Sequence, residues 1–171
     1  MPNWTLRDLY LSSTRLSPTR KNPPESPSRR LEKVIPFAGV KTVLFQLAMR
    51  GVTQNQVTHR VNILFTGIDV KTEPTNGHLE IKDNTGTYYF AKPTANGSIA
   101  RVRCTCHDFY FTCGIWDFNT GALFGDKPRP YKRKTPPPPK GWPYRNPDKI
   151  PGTCKHIFNA IKFLQSSGYV I

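Results

Sequence analysis

An α+β fold is predicted for the 171-residue chain: a small antiparallel β-sheet with a C-terminal helix, flanked by long extended proline-rich arms. Three observations predict it. Apolar residues alternate along the middle of the chain with the period of a strand, and after residue 154 they recur at helical spacing. Proline and positive charge collect outside the middle. Of 17 prolines, six fall in residues 1–36 and nine in 121–151. Of the net charge of +14, those two blocks carry +4 and +6, leaving +2 for 37–120 and +2 for 152–171.

Taken in order, residues 1–36 read as a basic arm rich in Pro and Ser. From Ser12 to Pro36 it holds Ser17-Pro18, Pro23-Pro24 and Ser26-Pro27, with the basic pairs Arg20-Lys21 and Arg29-Arg30. Such a composition buries too little apolar area to offset the entropy of ordering, so by itself it is expected to be disordered. The folding unit is then 37–171, interrupted by a basic proline-rich insertion at 121–151. Lys41–Arg50 fits strand or helix. Val43, Phe45, Leu47 and Met49 alternate, and the Gly-Val-Thr-Gln-Asn that follows suits a hairpin connection, which favours a strand.

Residues 56–66 are the clearest strand, with Val57, His59, Val61, Ile63 and Phe65 on one face. His78–Asp83 and Thr87–Lys92 flank Asn84-Thr85-Gly86, a short hairpin loop. Ser98–Cys104 alternates through Ala100, Val102 and Cys104. In the insertion, Lys127–Lys134 is strongly basic and Pro136–Pro139 favours a polyproline II rod. Tyr131, Trp142 and Tyr144 give it contact points that a plain spacer lacks. From Cys154, the spacing of Ile157, Ala160, Ile161 and Leu164 predicts a helix, with Thr153 as N-cap and Gly168 as stop. The sum is a four- or five-stranded sheet carrying one helix.

Several function classes are excluded. Only 37% of residues are apolar, which argues against a large helical bundle or a doubly wound α/β enzyme. No run approaches the ~20 apolar residues that span a bilayer. Met1–Tyr10 lacks the apolar segment of a secretory signal. His-Glu-x-x-His, the deaminase combination of His-x-Glu with Pro-Cys-x-x-Cys, a phosphate-cradling Gly-rich loop and Gly-x-Ser-x-Gly are all missing from the sequence. The expectation is a protein without catalytic activity, membrane attachment or small-molecule substrate.

All four cysteines lie between 104 and 154: Cys104-Thr-Cys106-His-Asp-Phe-Tyr-Phe-Thr-Cys113, then Cys154-Lys-His156. A structural zinc ion takes four such donors in a tetrahedron. Cys104 and Cys106 share a direction at a strand end because strand side chains alternate. Cys154 and His156 open the helix, where thiolates are favoured. Cys104, Cys106, Cys154 and His156 therefore form a complete set for structural Zn2+. Two disulfides or four buried thiols are the alternatives. Cys113 is a possible substitute ligand, or a small buried hydrophobe. His107 is expected to be exposed or to support a ligand, and His59 to be a core histidine.

Cys104-x-Cys106 followed distantly by Cys154-x-His156, with a helix after the second pair, resembles the SWIM-type zinc-binding motif (Cys-x-Cys, a spacer, then Cys-x-His). The spacer here is longer than is usual in that family, because the proline-rich insertion lies within it. The resemblance implies zinc on these four residues and a role in binding DNA or protein. Cys104-Thr-Cys-His-Asp-Phe-Tyr-Phe-Thr112, Gly121-Ala-Leu-Phe-Gly125, Tyr131-Lys-Arg-Lys-Thr135, Pro143-Tyr-Arg-Asn-Pro147 and Ile150-Pro-Gly-Thr-Cys-Lys-His156 are similar to virion structural proteins of tailed bacteriophages, notably contractile-tailed ones. That likeness implies a tail, baseplate or neck component, located in the virion. The expected partners are other virion structural proteins, docked through Arg29, Arg30, Tyr131, Lys132, Arg133, Lys134, Trp142 and Tyr144. The alternative is a zinc-dependent nucleic-acid-binding protein, for which clustered cations interleaved with aromatics also qualify.

Overall fold

The alternation at Val43, Phe45, Leu47 and Met49 does form a strand, and it runs through the middle of the fold. The computed structural model describes residues 3–17, 20–51, 57–129 and 145–171. Along them lie helix α1 (Leu6–Leu16), strand β1 (Arg29–Phe37), a short 3-10 turn (Ala38–Val40), β2 (Thr42–Arg50) and β3 (Thr58–Thr66). Then come β4 (Val70–Lys71), β5 (His78–Asp83), β6 (Gly86–Ala91) and β7 (Ile99–Cys104). Helices α2 (His107–Thr112), α3 (Gly114–Thr120) and α4 (Lys155–Ser166) complete the chain.

The strands form two antiparallel sheets, one of four strands in the order β1-β2-β3-β7 and one of three in the order β4-β6-β5. In the larger sheet Phe45 stands opposite Val34 and Ile63, and Ile63 opposite Val102. This register lines up one apolar face. Val43, Phe45, Leu47, Met49, Val61, Ile63, Phe65, Ala100 and Val102 are all buried on it. Helix α4 covers this face with Ile157, Ala160, Ile161 and Leu164, the residues its spacing singles out. The smaller sheet contributes Phe90, whose ring meets Phe45 edge-on at 6.1 Å, and Tyr169 meets Phe45 at 6.0 Å. Each large apolar side chain buried in this layer contributes roughly 1.5–3 kcal/mol.

The fold departs from the sequence expectation in three respects. The strands divide between two sheets instead of forming one. Three further helices accompany α4 among the described residues. The N-terminal block, finally, is not a free arm over its described residues. Leu6 and Leu9 are buried on α1, which starts at a capping box: Thr5 Oγ1 accepts from the Asp8 amide at 3.1 Å, and Asp8 Oδ2 accepts from the Thr5 amide at 3.0 Å. The Thr5 hydroxyl, donating to Asp8 Oδ2 at 2.7 Å, and the Thr5 amide hold the Asp8 carboxyl below its ordinary pKa. Residues 29–37 are the edge strand β1, where Pro36 costs no sheet hydrogen bond on the open side.

Between α1 and β1, the proline-rich segment around Pro24 and Ser26 lies against α4. Asn159 is buried there, donating from Nδ2 to the Pro24 carbonyl at 3.0 Å and accepting at Oδ1 from the Ser26 amide at 3.3 Å. Ser26 Oγ donates to the Arg50 carbonyl, which ties the same stretch to β2. One side-chain amide thus satisfies both an acceptor and a donor of this segment's backbone. The insertion is likewise docked at both flanks. Ala122 and Leu123 are buried, with Leu123 bridging to Val102 beside β7, and Asn146 is buried at the other flank. Tyr131, Lys132, Arg133, Lys134, Trp142 and Tyr144 lie outside the described residues.

Asn159→Ala should leave the Ser26 amide and the Pro24 carbonyl without their partner, a loss of about 1–3 kcal/mol. The expected outcome is a melting temperature lowered by roughly 3–10 °C for a chain of this size. Faster tryptic cleavage at Lys21 and Arg29 should accompany it, measured by limited proteolysis.

Candidate metal centre

Strand β7 ends at Cys104, whose side chain lies on the buried face because its register partner is Val61. Thr105 turns the chain, and Cys106 becomes the N-cap of α2 in extended conformation. There its Sγ accepts the Phe109 amide at 3.3 Å, while Cys104 Sγ accepts the Cys106 amide at 3.5 Å. Cys154 is the N-cap of α4, a role the sequence assigns to Thr153. Thr153 is drawn away because its amide donates to Ser13 Oγ on α1 and its hydroxyl lies 3.1 Å from the same oxygen. The Cys154 side chain caps no amide of α4, which leaves its sulfur facing the other cysteines.

Cys104, Cys106, Cys154 and His156 each offer one donor atom, and these four atoms lie within 4.8 Å of one another. All four residues are buried, and all four cysteines of the chain are free thiols. Donors about 2.0–2.3 Å from a common ion at tetrahedral angles stand about 3.5–3.8 Å apart, so only a slight contraction separates this cluster from a coordinated one.

The electrostatics fit a cation. Burial pushes the Cys104 and Cys154 thiols well above their ordinary pKa. Cys106 is pushed strongly the other way, because hydrogen bonds from Cys104 and Cys154 outweigh its own burial. Three buried thiols so close together could all ionise only with a cation to offset their charge, which a divalent ion would supply. The His156 Nδ1 lies 4.0 Å from Cys154 Sγ, and its Nε2 is buried with no hydrogen-bond partner among the described residues. A metal bond is an interaction open to an imidazole so placed.

Cys113 stands apart. It is fully buried between α2 and α3, outside the four-donor group, and burial pushes its thiol up as well. His107 is exposed at the start of α2. His59 differs from the core histidine expected of it. It is half-buried, with its ring 4.4 Å from that of His156. Burial is the main cause that lowers its pKa.

A supporting layer that the sequence does not signal surrounds the donors. Arg20 donates from Nη1 to the Thr153 carbonyl at 2.8 Å and from Nη2 to Asp108 Oδ1 at 2.7 Å, joining the N-terminal block, α2 and the approach to α4. Gly152 leaves room for Ser13: a Cβ there would meet Ser13 Oγ at 2.7 Å. The Gly152 amide donates to Oδ1 of Asp117 at 2.8 Å. Arg29 and Arg30, both expected to contact partners, diverge on β1. Arg29 lies 3.6 Å from Glu25, and Arg30 is 73% exposed beside Glu32.

No family model, curated protein or solved structure matches the chain. Among the described residues no helix is long and apolar enough to cross a membrane.

Asp117 is fully buried, and burial raises its carboxyl pKa far above the usual range, only partly opposed by the Gly152 amide. A group whose folded pKa is raised contributes stability below its unfolded pKa, about 3.9, and loses it as pH climbs toward the folded value. Asp117→Asn keeps the acceptor for Gly152 and removes the titration. Its stability relative to the unsubstituted protein should rise steadily from pH 4 to pH 7, measured by urea unfolding of both proteins side by side. A difference that stays flat with pH refutes this.

Proposed function

We propose that the chain is a non-catalytic structural protein of a tailed-bacteriophage virion, in the tail, baseplate or neck, whose fold is closed by a zinc ion on Cys104, Cys106, Cys154 and His156. The observation that carries this reading is the buried four-donor cluster joining the end of β7 to the start of α4. Three thiolates and an imidazole suit zinc and disfavour the hard cations, which prefer oxygen. Four protein donors complete a tetrahedron, whereas a catalytic zinc keeps one position for water. The ion would act as a clasp and add its binding free energy to folding.

The docking part of the proposal rests on the insertion and on the likeness of its flanks to phage virion proteins. Both flanks are fastened to α2, where Tyr110 Oη donates to the Arg129 carbonyl at 2.6 Å and Asn146 Nδ2 donates to the Thr112 carbonyl at 2.8 Å. Arg129 and Asn146, which bracket the basic, aromatic and proline-rich sequence 130–144, are thus tied to the body at α2. Contacts made through Tyr131, Trp142 and Tyr144 would bury aromatic area, the usual source of binding energy at protein interfaces.

Recombinant protein should carry close to one equivalent of zinc by elemental analysis. Cys154→Ser should hold less than half an equivalent and melt about 10 °C lower or more, as should the chelated protein. Metal-free protein with unchanged melting refutes the clasp. Mass spectrometry of purified virions should recover the chain in fixed proportion to tail proteins. Its recovery only from the unassembled fraction of the lysate refutes the virion assignment.

A further inference from the structure

The larger sheet buries one face, and its other face carries a pattern that emerges only from the strand register. Across that outer face, Arg30 of β1 lies opposite Ala48, and Ala48 opposite Arg60 of β3. In the next row Lys33 lies opposite Gln46, Gln46 opposite Asn62, and Asn62 opposite Arg103 of β7. In the row after that, Arg101 lies beside Leu64. The register thus draws five cations from three strands onto one surface, although they are spread over residues 30–103 in sequence.

These cations are available. Arg30 and Arg60 are 73% and 65% exposed, and Lys33 and Arg101 are exposed too. Arg103 is half-buried, its guanidinium held by the Asp126 carbonyl. One carboxylate, Glu32, projects at the bulge between Leu31 and Lys33, 3.0 Å from Arg30 and 3.8 Å from Arg60. Between the rims Gln46 Nε2 donates to Asn62 Oδ1 at 3.1 Å, flanked by Ala48 and Leu64 in the neighbouring rows. The rims on β1 and β7 stand three strand spacings apart, about 14 Å, and Arg101 and Arg103 are about 6.6 Å apart along β7.

We infer that this sheet face binds the phosphodiester backbone of a nucleic acid, with Arg30, Lys33, Arg60, Arg101 and Arg103 as the phosphate contacts. Four of the five cations are arginines, whose planar fork matches phosphate oxygens. The basic half of the face offers no aromatic anchor of the kind a protein partner would use at the centre of an interface. Exposed ion pairs such as those of Glu32 are weak, and phosphates compete for their arginines. The inference does not depend on the virion reading, and it places the contact on the sheet instead of on the arms.

The test is fluorescence anisotropy of a labelled 20-nucleotide single strand with the 171-residue protein, as purified, across a salt series. Wild-type protein should bind, with affinity falling linearly in log–log form as salt rises. The triple variant Lys33→Gln, Arg60→Gln, Arg101→Gln should bind at least 10-fold more weakly, with a salt slope shallower by about 2. Arg60→Lys with Arg101→Lys should keep most of the affinity. The insertion variant Lys132→Gln, Arg133→Gln, Lys134→Gln should lose less than the sheet variant.

The inference is overturned if wild-type protein does not bind, or if the insertion variant loses as much as the sheet variant. It is overturned too if polyglutamate of equal charge displaces the strand as well as unlabelled DNA does, which would point to an acidic protein partner. Should the triple variant not fold, photocrosslinking of wild-type protein to bromodeoxyuridine DNA decides. Adducts on 29–37, 58–66 or 99–104 uphold it, and adducts confined elsewhere overturn it.

Discussion

The approach of the segment Gly152–His156 to the Cys104–Cys106 turn governs much of this structure. The two lie far apart in sequence, yet they bring three thiols and an imidazole within 4.8 Å of one another inside the protein. Buried, closely spaced thiols repel the very charge that would make them useful, so the arrangement is favourable only where something compensates for it. Backbone amides from Cys106 and Phe109 do part of this, and a cation would do the rest. Because Cys104 ends β7 and Cys154 begins α4, whatever stabilises the cluster also fixes the helix on the sheet.

Around that junction, irregular chain is held by a few buried or partly buried polar side chains. Arg20, Ser13, Asp117, Asn146 and Asn159 come from helices and loops, and each bonds to backbone of a segment without regular partners. Such groups are expensive to bury unless bonded, and they are accordingly well supplied, Asp117 Oδ2 being the exception among the carboxylates. The proline-rich stretches are therefore part of the body at their described ends. Their composition predicts disorder for an isolated segment; an Asn159 on a neighbouring helix removes that premise.

Much was legible beforehand. The alternation in β2, β3 and β7 and the hairpin β5–β6 all appear where the apolar pattern sets them, because burial of one sheet face requires that period. The four donors were legible from spacing alone. Helix α1 was also written in the sequence, in Thr5-x-x-Asp8 with Leu6 and Leu9, but proline and serine further along drew residues 12–36 together into one arm. Strand β1 was not legible, since Arg-Arg-Leu-Glu-Lys-Val-Ile-Pro has a bulge that breaks its alternation. Helices α2 and α3 are short and owe their stability to packing, which leaves little periodicity to detect.

The sequence by itself determined the local periods, the residue types able to hold a metal, and the surplus of positive charge. Those properties depend on neighbours within a few positions, or on composition alone. The tertiary structure decided which thiols meet and which one, Cys113, does not, because that depends on where β7 ends and how α4 is seated. It also decided that Arg30, Lys33, Arg60, Arg101 and Arg103 share a face while Arg29 does not. Strand register sets that choice, and register is fixed by burial across the whole sheet.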